Sequence, residues 1–185
     1  MSEEMLSALD EINANANRLV ASIESSQWEN ATPCSEWDVR ALVNHMTGTT
    51  KLFGARALRA APDAAPDAEH LGDDPTAAFA SATAAASAAW RSNGALEGSV
   101  TIPADMPAVA CLGINIIDIG THTWDLATAI GADHGLSPST IAMIDQWNRQ
   151  VVSDDVRAGG GFGEVLEPTT DESLTSMLAF VGRRG

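Results

Sequence analysis

Apolar residues recur along most of this chain at intervals of three and four, the spacing that gathers them on one face of a helix. The first run is Met5, Leu9, Ile12, Ala16, Leu19 and Ile23. Ser2 followed by Glu3 and Glu4 marks its start, an oxygen cap with acids beside the positive end of the helix dipole. A long amphipathic helix is predicted, ending before a connection over residues 28–33. Asp38 is placed to cap a second helix, in which Val39, Leu42, Val43, Met46, Leu52 and Phe53 form a stripe reaching to about Arg59. From Ala60 to Asp74 the repeats of Ala, Pro and Asp have no period and read as an exposed loop.

Asp74 with Pro75 opens a third helix, because proline is pre-set for a first turn and its missing N–H is not needed there. This helix, TAAFASATAAASAAWR, has few large side chains, and Gly94 ends it. So thin a face implies close contact with a neighbouring helix. Leu96 to Ile102 reads as a brief strand or an extended crossover, and Pro103 to Pro107 as the lead into a fourth helix closed by Gly131. That helix, AVACLGINIIDIGTHTWDLATAIG, is the most apolar segment and yet carries Asp118, His122 and Asp125. Charged or polar groups in such a setting need partners. Ser137 and Pro138 start a fifth helix through about Val156, RAGGGFGEVLEP is a flexible glycine-rich return, and Asp171 or Thr170 caps a last helix from Leu174 to Val181. No internal repeat is present, and convincing strand patterns are almost absent. The predicted class is all-α, most simply a four-helix bundle with additional short C-terminal helices, folded as a single domain over residues 1–185.

Composition narrows what such a bundle does. Ten basic against 25 acidic residues give a net charge of −15, with Lys51 the lone lysine, which argues against nucleic acid and against an anionic membrane surface as partners. Alanine supplies 32 of the apolar residues, so Leu, Ile, Val, Met and the five Trp must carry the packing. No run approaches the ~18 apolar residues of a membrane span, and the acidic start lacks the layout of a signal peptide, so a cytoplasmic protein is expected. A homodimer fits the thin third helix and the large apolar complement. Cys34 and Cys111 are far apart and outside any Cys-x-x-Cys pattern; Cys34, just before a helix N-terminus whose dipole favours a thiolate, is expected to be a buried structural thiol, and Cys111 to lie in the core.

Asp118 and His122 stand four apart, a carboxylate and an imidazole one turn from each other on the same face. Such a pair holds one metal ion or forms a hydrogen-bonded couple. If the second and fourth helices are neighbours, His45 supplies a third ligand across the core, giving two nitrogens, one oxygen and an open position, the pattern of a catalytic divalent site. Zinc suits those donors best, and nickel, iron and manganese stay open because ligand type alone selects weakly. Trp37 and Trp124, which flank the two motif segments, are expected to pack, with walling a pocket as the alternative for both. Arg40 is read as meeting an anionic substrate or pairing with Glu36, and His70 and His134 as solvated.

The segments TPCSEWDVRALVNHM (from Thr32), GTHTWDLATAIG (from Gly120) and LAFVGRR (from Leu178) together resemble actinobacterial relatives of the mycothiol-dependent maleylpyruvate isomerase N-terminal domain, within the wider DinB/YfiT-like superfamily of metalloenzymes. The resemblance covers essentially the whole chain. It implies an up-down-down-up four-helix bundle with one divalent ion near one end, held by His45, Asp118 and His122. Asp118 is a methylene shorter than the Glu of the best-described member. Asp125, one turn after His122, is assigned to the catalytic machinery as the acid that orients the imidazole. The implied activity is a mycothiol-dependent transferase or isomerase acting on a small electrophile. The isomerase has a further domain after this one and the chain ends at Gly185, so thiol transfer is expected over maleylpyruvate isomerisation. A metal-dependent hydrolase and a non-catalytic helical module for ligand binding or interaction are the alternative readings. No nucleotide-binding or serine-hydrolase motif supports any other.

Overall fold

The computed structural model describes residues 2–102, 104–158, 162–170 and 172–184. They fall into two compact units, Met1–Gly135 and Leu136–Gly185. The first contains α1 (Ser2–Ser22), α2 (Val39–Ala57), α3 (Pro75–Trp90), a hairpin of β1 (Ser99–Ile102) and β2 (Ala104–Pro107), and α4 (Ala108–Ile130). The second contains α5 (Pro138–Val151), α6 (Asp154–Ala158) and α7 (Ser173–Phe180). The class is all-α, as the sequence predicts.

The helices begin and end where local chemistry satisfies their unpaired backbone groups. Asp38 accepts from the Ala41 amide at 2.8 Å, Asp74 from Ala77 at 3.0 Å and Ser137 from Thr140 at 3.3 Å. Each such cap is worth about 1 kcal/mol. Gly131 closes α4 in the left-handed region, at φ 68°, where a side chain would be strained.

Side-chain bridges set the directions of the bundle. Asn13 of α1 donates to Ser87 of α3, and Asn17 to Thr83, so these helices run antiparallel. Gln27, past the end of α1, donates to Ile130 O, and Arg18 to Asp133 O, so α1 and α4 finish at the same end. Asn30 donates to Ala129 O there and also accepts, through its own carbonyl, from the first amide of α2, which therefore descends against α4. The result is up-down-down-up, with α2 and α3 parallel. Their contact is close, as the alanine-rich α3 requires: a Cβ on Gly54 would stand 3.1 Å from Ala86 Cα. Met5, Leu9, Ile12, Leu19, Leu42, Met46, Phe79, Trp90, Leu112 and Ile116 fill the centre.

Several expectations are corrected. Residues 104–107 do not lead straight into α4 but form β2, pairing antiparallel with β1 from Ser99 opposite Pro107 to Ile102 opposite Ala104; Pro103 lies outside the described residues. The loop from Ala60 to Asp74 is not simply solvated. Asn44 of α2 donates to Ala68 O and accepts from the His70 amide, both at 2.8 Å, and the His70 ring sits where a Cβ on Gly48 would be. Helix α5 stops at Val151 because Val152 turns extended, and the run Ser153, Asp154, Asp155 restarts as α6 with the Ser153 hydroxyl accepting from the Val156 amide. Of the two caps expected for α7, Asp171 lies outside the described residues. Thr170 accepts from the Glu172 amide instead of capping the helix itself.

Within the second unit, the described part of the glycine-rich return is tied down. Arg157 donates to Gly163 O and Phe180 O, Leu166 donates to Ala179 O, and the Arg149 and Arg157 guanidiniums lie 4.8 and 4.7 Å from the Phe180 ring centre. Such cation–aromatic contacts add about 0.5–1 kcal/mol each at exposed sites. Among the described residues no helix is long and apolar enough to cross a membrane.

Candidate metal centre

The polar residues of α4 are gathered at one end of the first unit, facing the start of α2 and the connection before it. Asp118 Oδ1 lies 3.3 Å from His45 Nε2 and 3.8 Å from His122 Nε2. His45 and His122 meet edge to face, ring centres 5.0 Å apart. The three residues predicted as ligands are thus brought together from two helices, with one donor atom from each within 4.8 Å of the others.

Two of the three candidate ligands are held from behind. Thr49, one turn after His45, donates its hydroxyl to Asp118 Oδ2 at 2.7 Å, which leaves Oδ1 to face the imidazoles. Burial pushes the Asp118 pKa up. The hydrogen bond to His45, the charges of His122 and His45, and the Thr49 hydroxyl outweigh that, so the carboxyl sits below its ordinary range and is ionised at neutral pH. Asp125 is fully buried and its Oδ2 is 2.9 Å from His122 Nδ1. A carboxylate there holds a proton on Nδ1, an assignment from the hydrogen-bond network, and leaves Nε2 as the ring nitrogen that faces Asp118.

The connection before α2 supplies a wall. Thr32 accepts from the Cys34 amide and its own hydroxyl reaches Trp37 O at 2.8 Å, while the Trp37 amide donates to Cys34 O. This tight turn lays the Trp37 ring 4.5 Å from the centre of His45 and 5.8 Å from that of His122. It also aims Cys34 Sγ at Asp125 Oδ2, 3.3 Å away, with His122 Nδ1 at 3.9 Å.

Sequence reasoning assigned Cys34 to a buried structural role; the thiol is instead half-exposed and beside two functional candidates. Nothing local betrays that approach, which joins positions 91 apart in the chain. Thr49 was also missed, although its spacing of four from His45 was a usable signal. Arg40 pairs at 3.8 Å with Glu69 rather than Glu36, both side chains largely in solvent. Cys111 and Trp124 are buried as expected.

The donors suit a divalent ion. A tetrahedral ion bound at about 2.0–2.1 Å by nitrogen and oxygen needs donor separations of roughly 3.3–3.4 Å, against 3.3 and 3.8 Å from Asp118 to the two imidazoles. The first separation matches that range and the second exceeds it by about 0.4 Å, so the residues present fit such an ion.

A helical bundle that collects two imidazoles and one carboxylate at one end, with a carboxylate behind one imidazole, has the architecture of a bundle-type metal protein. The chain belongs to the mycothiol maleylpyruvate isomerase N-terminal domain family, whose model matches residues 9–127. That places it in a mycothiol-related enzyme family. Two uncharacterized proteins of Mycobacterium tuberculosis, one from strain CDC 1551 and one from strain H37Rv, are each 28% identical to it over 175 residues, covering 89% of this chain and 90% of the relative. No solved structure matches the chain significantly.

Proposed function

We propose that His45, Asp118 and His122 hold one divalent ion, zinc first and nickel next, and that the site delivers a low-molecular-weight thiol, mycothiol by family, to a small electrophile in a transferase or isomerase reaction. The observation that carries this reading is the convergence of three donors from α2 and α4 with Asp125 tied to the far nitrogen of His122. An ion held by these three residues would supply Lewis acidity, which lowers the pKa of a thiol and polarises a carbonyl.

The protein's own residues do the rest. Asp125 keeps the proton on Nδ1, so His122 presents a lone pair and not an N–H to the centre. Thr49 occupies one oxygen of Asp118 and so limits that carboxylate to one forward-facing atom, which leaves room for an exogenous ligand. Two neutral imidazoles and one carboxylate leave a divalent ion with a net charge of +1. Trp37 covers His45 and shields one side of the site from water.

Metal content measured by mass spectrometry on untagged protein tests the ligand set. Wild type should carry about one equivalent after reconstitution, and His45→Ala and His122→Ala none, with the helical far-UV signal kept in both. Stoichiometric metal in either variant overturns the assignment. Turnover of an electrophile that proceeds equally well without any thiol overturns the thiol-transfer part.

A further inference from the structure

We propose that His122 serves two metal sites, one on each ring nitrogen, and that Cys34 Sγ, His122 Nδ1 and Asp125 Oδ2 form a second site selective for soft, thiophilic ions. The three atoms are mutually close: 3.3 Å from sulfur to oxygen, 3.9 Å from sulfur to nitrogen and 2.9 Å from nitrogen to oxygen. A tetrahedral ion with a sulfur ligand at about 2.3 Å and nitrogen or oxygen at about 2.0–2.1 Å calls for separations of roughly 3.3–3.6 Å. Every edge of the triangle is within a few tenths of an ångström of that range. The Cys34 side is half-exposed, so an ion has a way in, while Asp125 is wholly buried and His122 nearly so.

Charge separates the two sites. A thiolate and a carboxylate neutralise a divalent ion completely, which suits a buried position where uncompensated charge is expensive. The site of His45, Asp118 and His122 Nε2 leaves one positive charge over. Sulfur among the donors favours the soft divalent ions cadmium and mercury over zinc. In the metal-free protein one oxygen of Asp125 faces two protons, from the Cys34 thiol and from His122 Nδ1. A single ion takes their place: the thiol proton leaves to solvent and the imidazole proton moves to Nε2.

That proton shift makes the two sites antagonistic, since a neutral imidazole has one lone pair to give. A soft ion on Nδ1 puts a proton on Nε2 and withdraws His122 from the other site. The antagonism rests on the metal site proposed above; the Cys34 site does not.

Cadmium titration of the metal-free, full-length chain, followed by the ultraviolet thiolate-to-cadmium charge-transfer band, tests both parts. Wild type, Cys111→Ser and His45→Ala should each bind one equivalent with the band. Cys34→Ser should lose the band while keeping its helical signal, and His122→Ala should bind at least about tenfold more weakly. A wild type without the band, a band that survives in Cys34→Ser, or unchanged affinity in His122→Ala overturns the site. A band in wild type with no zinc held by His45, Asp118 and His122 sinks the proposed function and leaves this site standing. Where zinc does bind, one equivalent added first should weaken cadmium at least about tenfold; an unshifted midpoint with zinc retained overturns the sharing of His122.

Discussion

Helix α4 is one continuous helix whose two halves hold the protein together in different ways. From Ala108 to Ile117 it is an apolar wall: Cys111, Leu112, Ile116 and Ile117 are buried, and the polar Asn115 accepts from the Trp90 indole at 3.1 Å. From Asp118 onward, the buried or half-buried positions 118, 122 and 125 are ionisable, and each meets a group from another element: His45 and Thr49 for Asp118, Trp37 for His122, Cys34 for Asp125. The first half stabilises the fold by removing apolar area from water. The second also buries Ile119, Trp124 and Leu126, but its ionisable positions add little, because desolvating charged groups offsets much of their attraction. Apolar burial thus runs along the whole helix, while the candidate chemistry is confined to its second half.

The two cysteines show the same division. Cys111 is sealed in the wall, and burial, only partly opposed by the charges of Arg56 and Arg59, pushes its pKa to about 12. Cys34 stands half-exposed at the polar end.

The largest effect expected from this comparison is a loss of stability in the first half. Ile116→Ala removes a fully buried side chain and should cost about 2–5 kcal/mol. Urea denaturation of the metal-free protein reads this directly. Metal stoichiometry at the polar end should be unchanged where the fold survives. A cost below about 1 kcal/mol would mean that the core relaxes around the lost atoms and that the wall carries less than its burial implies.

Substitution in the second half should do the reverse. Asp125→Asn keeps the shape of the side chain but not the charge that orders His122. Metal affinity, measured by competition with a chelator, should fall about 10–100-fold. Metal-free stability should drop by clearly less than in Ile116→Ala, because a buried charge goes with the hydrogen bond. Unchanged affinity would show that His122 is positioned without Asp125.

How much of this is legible in the sequence follows from how local each cause is. Caps at Asp38, Asp74 and Ser137 and the stop at Gly131 act within one turn, and the sequence marks each of them. The i, i+4 pair of Asp118 and His122 is likewise local. That His45 faces them depends on α2 and α4 being neighbours, which the resemblance implied and spacing alone did not. Cys34 and the grip of Asn44 on the loop before α3 arise from contacts between distant segments, and no short-range pattern encodes them. The end of α5 at Val151 was missed for another reason: an apolar stripe continues through Val156, but the cap chemistry at Ser153 wins over it.

The smallest effect lies in the acid dependence of stability, and it separates the charge of Asp118 from its shape. Its carboxyl sits below its ordinary value in the folded protein, although burial alone would raise it. A group with a depressed folded pKa binds its proton less readily when folded than when unfolded. Its contribution is therefore fully present above the unfolded carboxylate range, near pH ~4, and is lost as pH falls through the folded value. Asp118→Asn has no such proton to take up, so metal-free variant and wild type should converge in stability as pH is lowered from 7 toward acid. Denaturation at a series of pH values checks this. If the difference between the two proteins stays constant with pH, Asp118 owes its place to packing and hydrogen bonding with Thr49, and the electrostatic contrast between the halves of α4 narrows to His122 and Asp125.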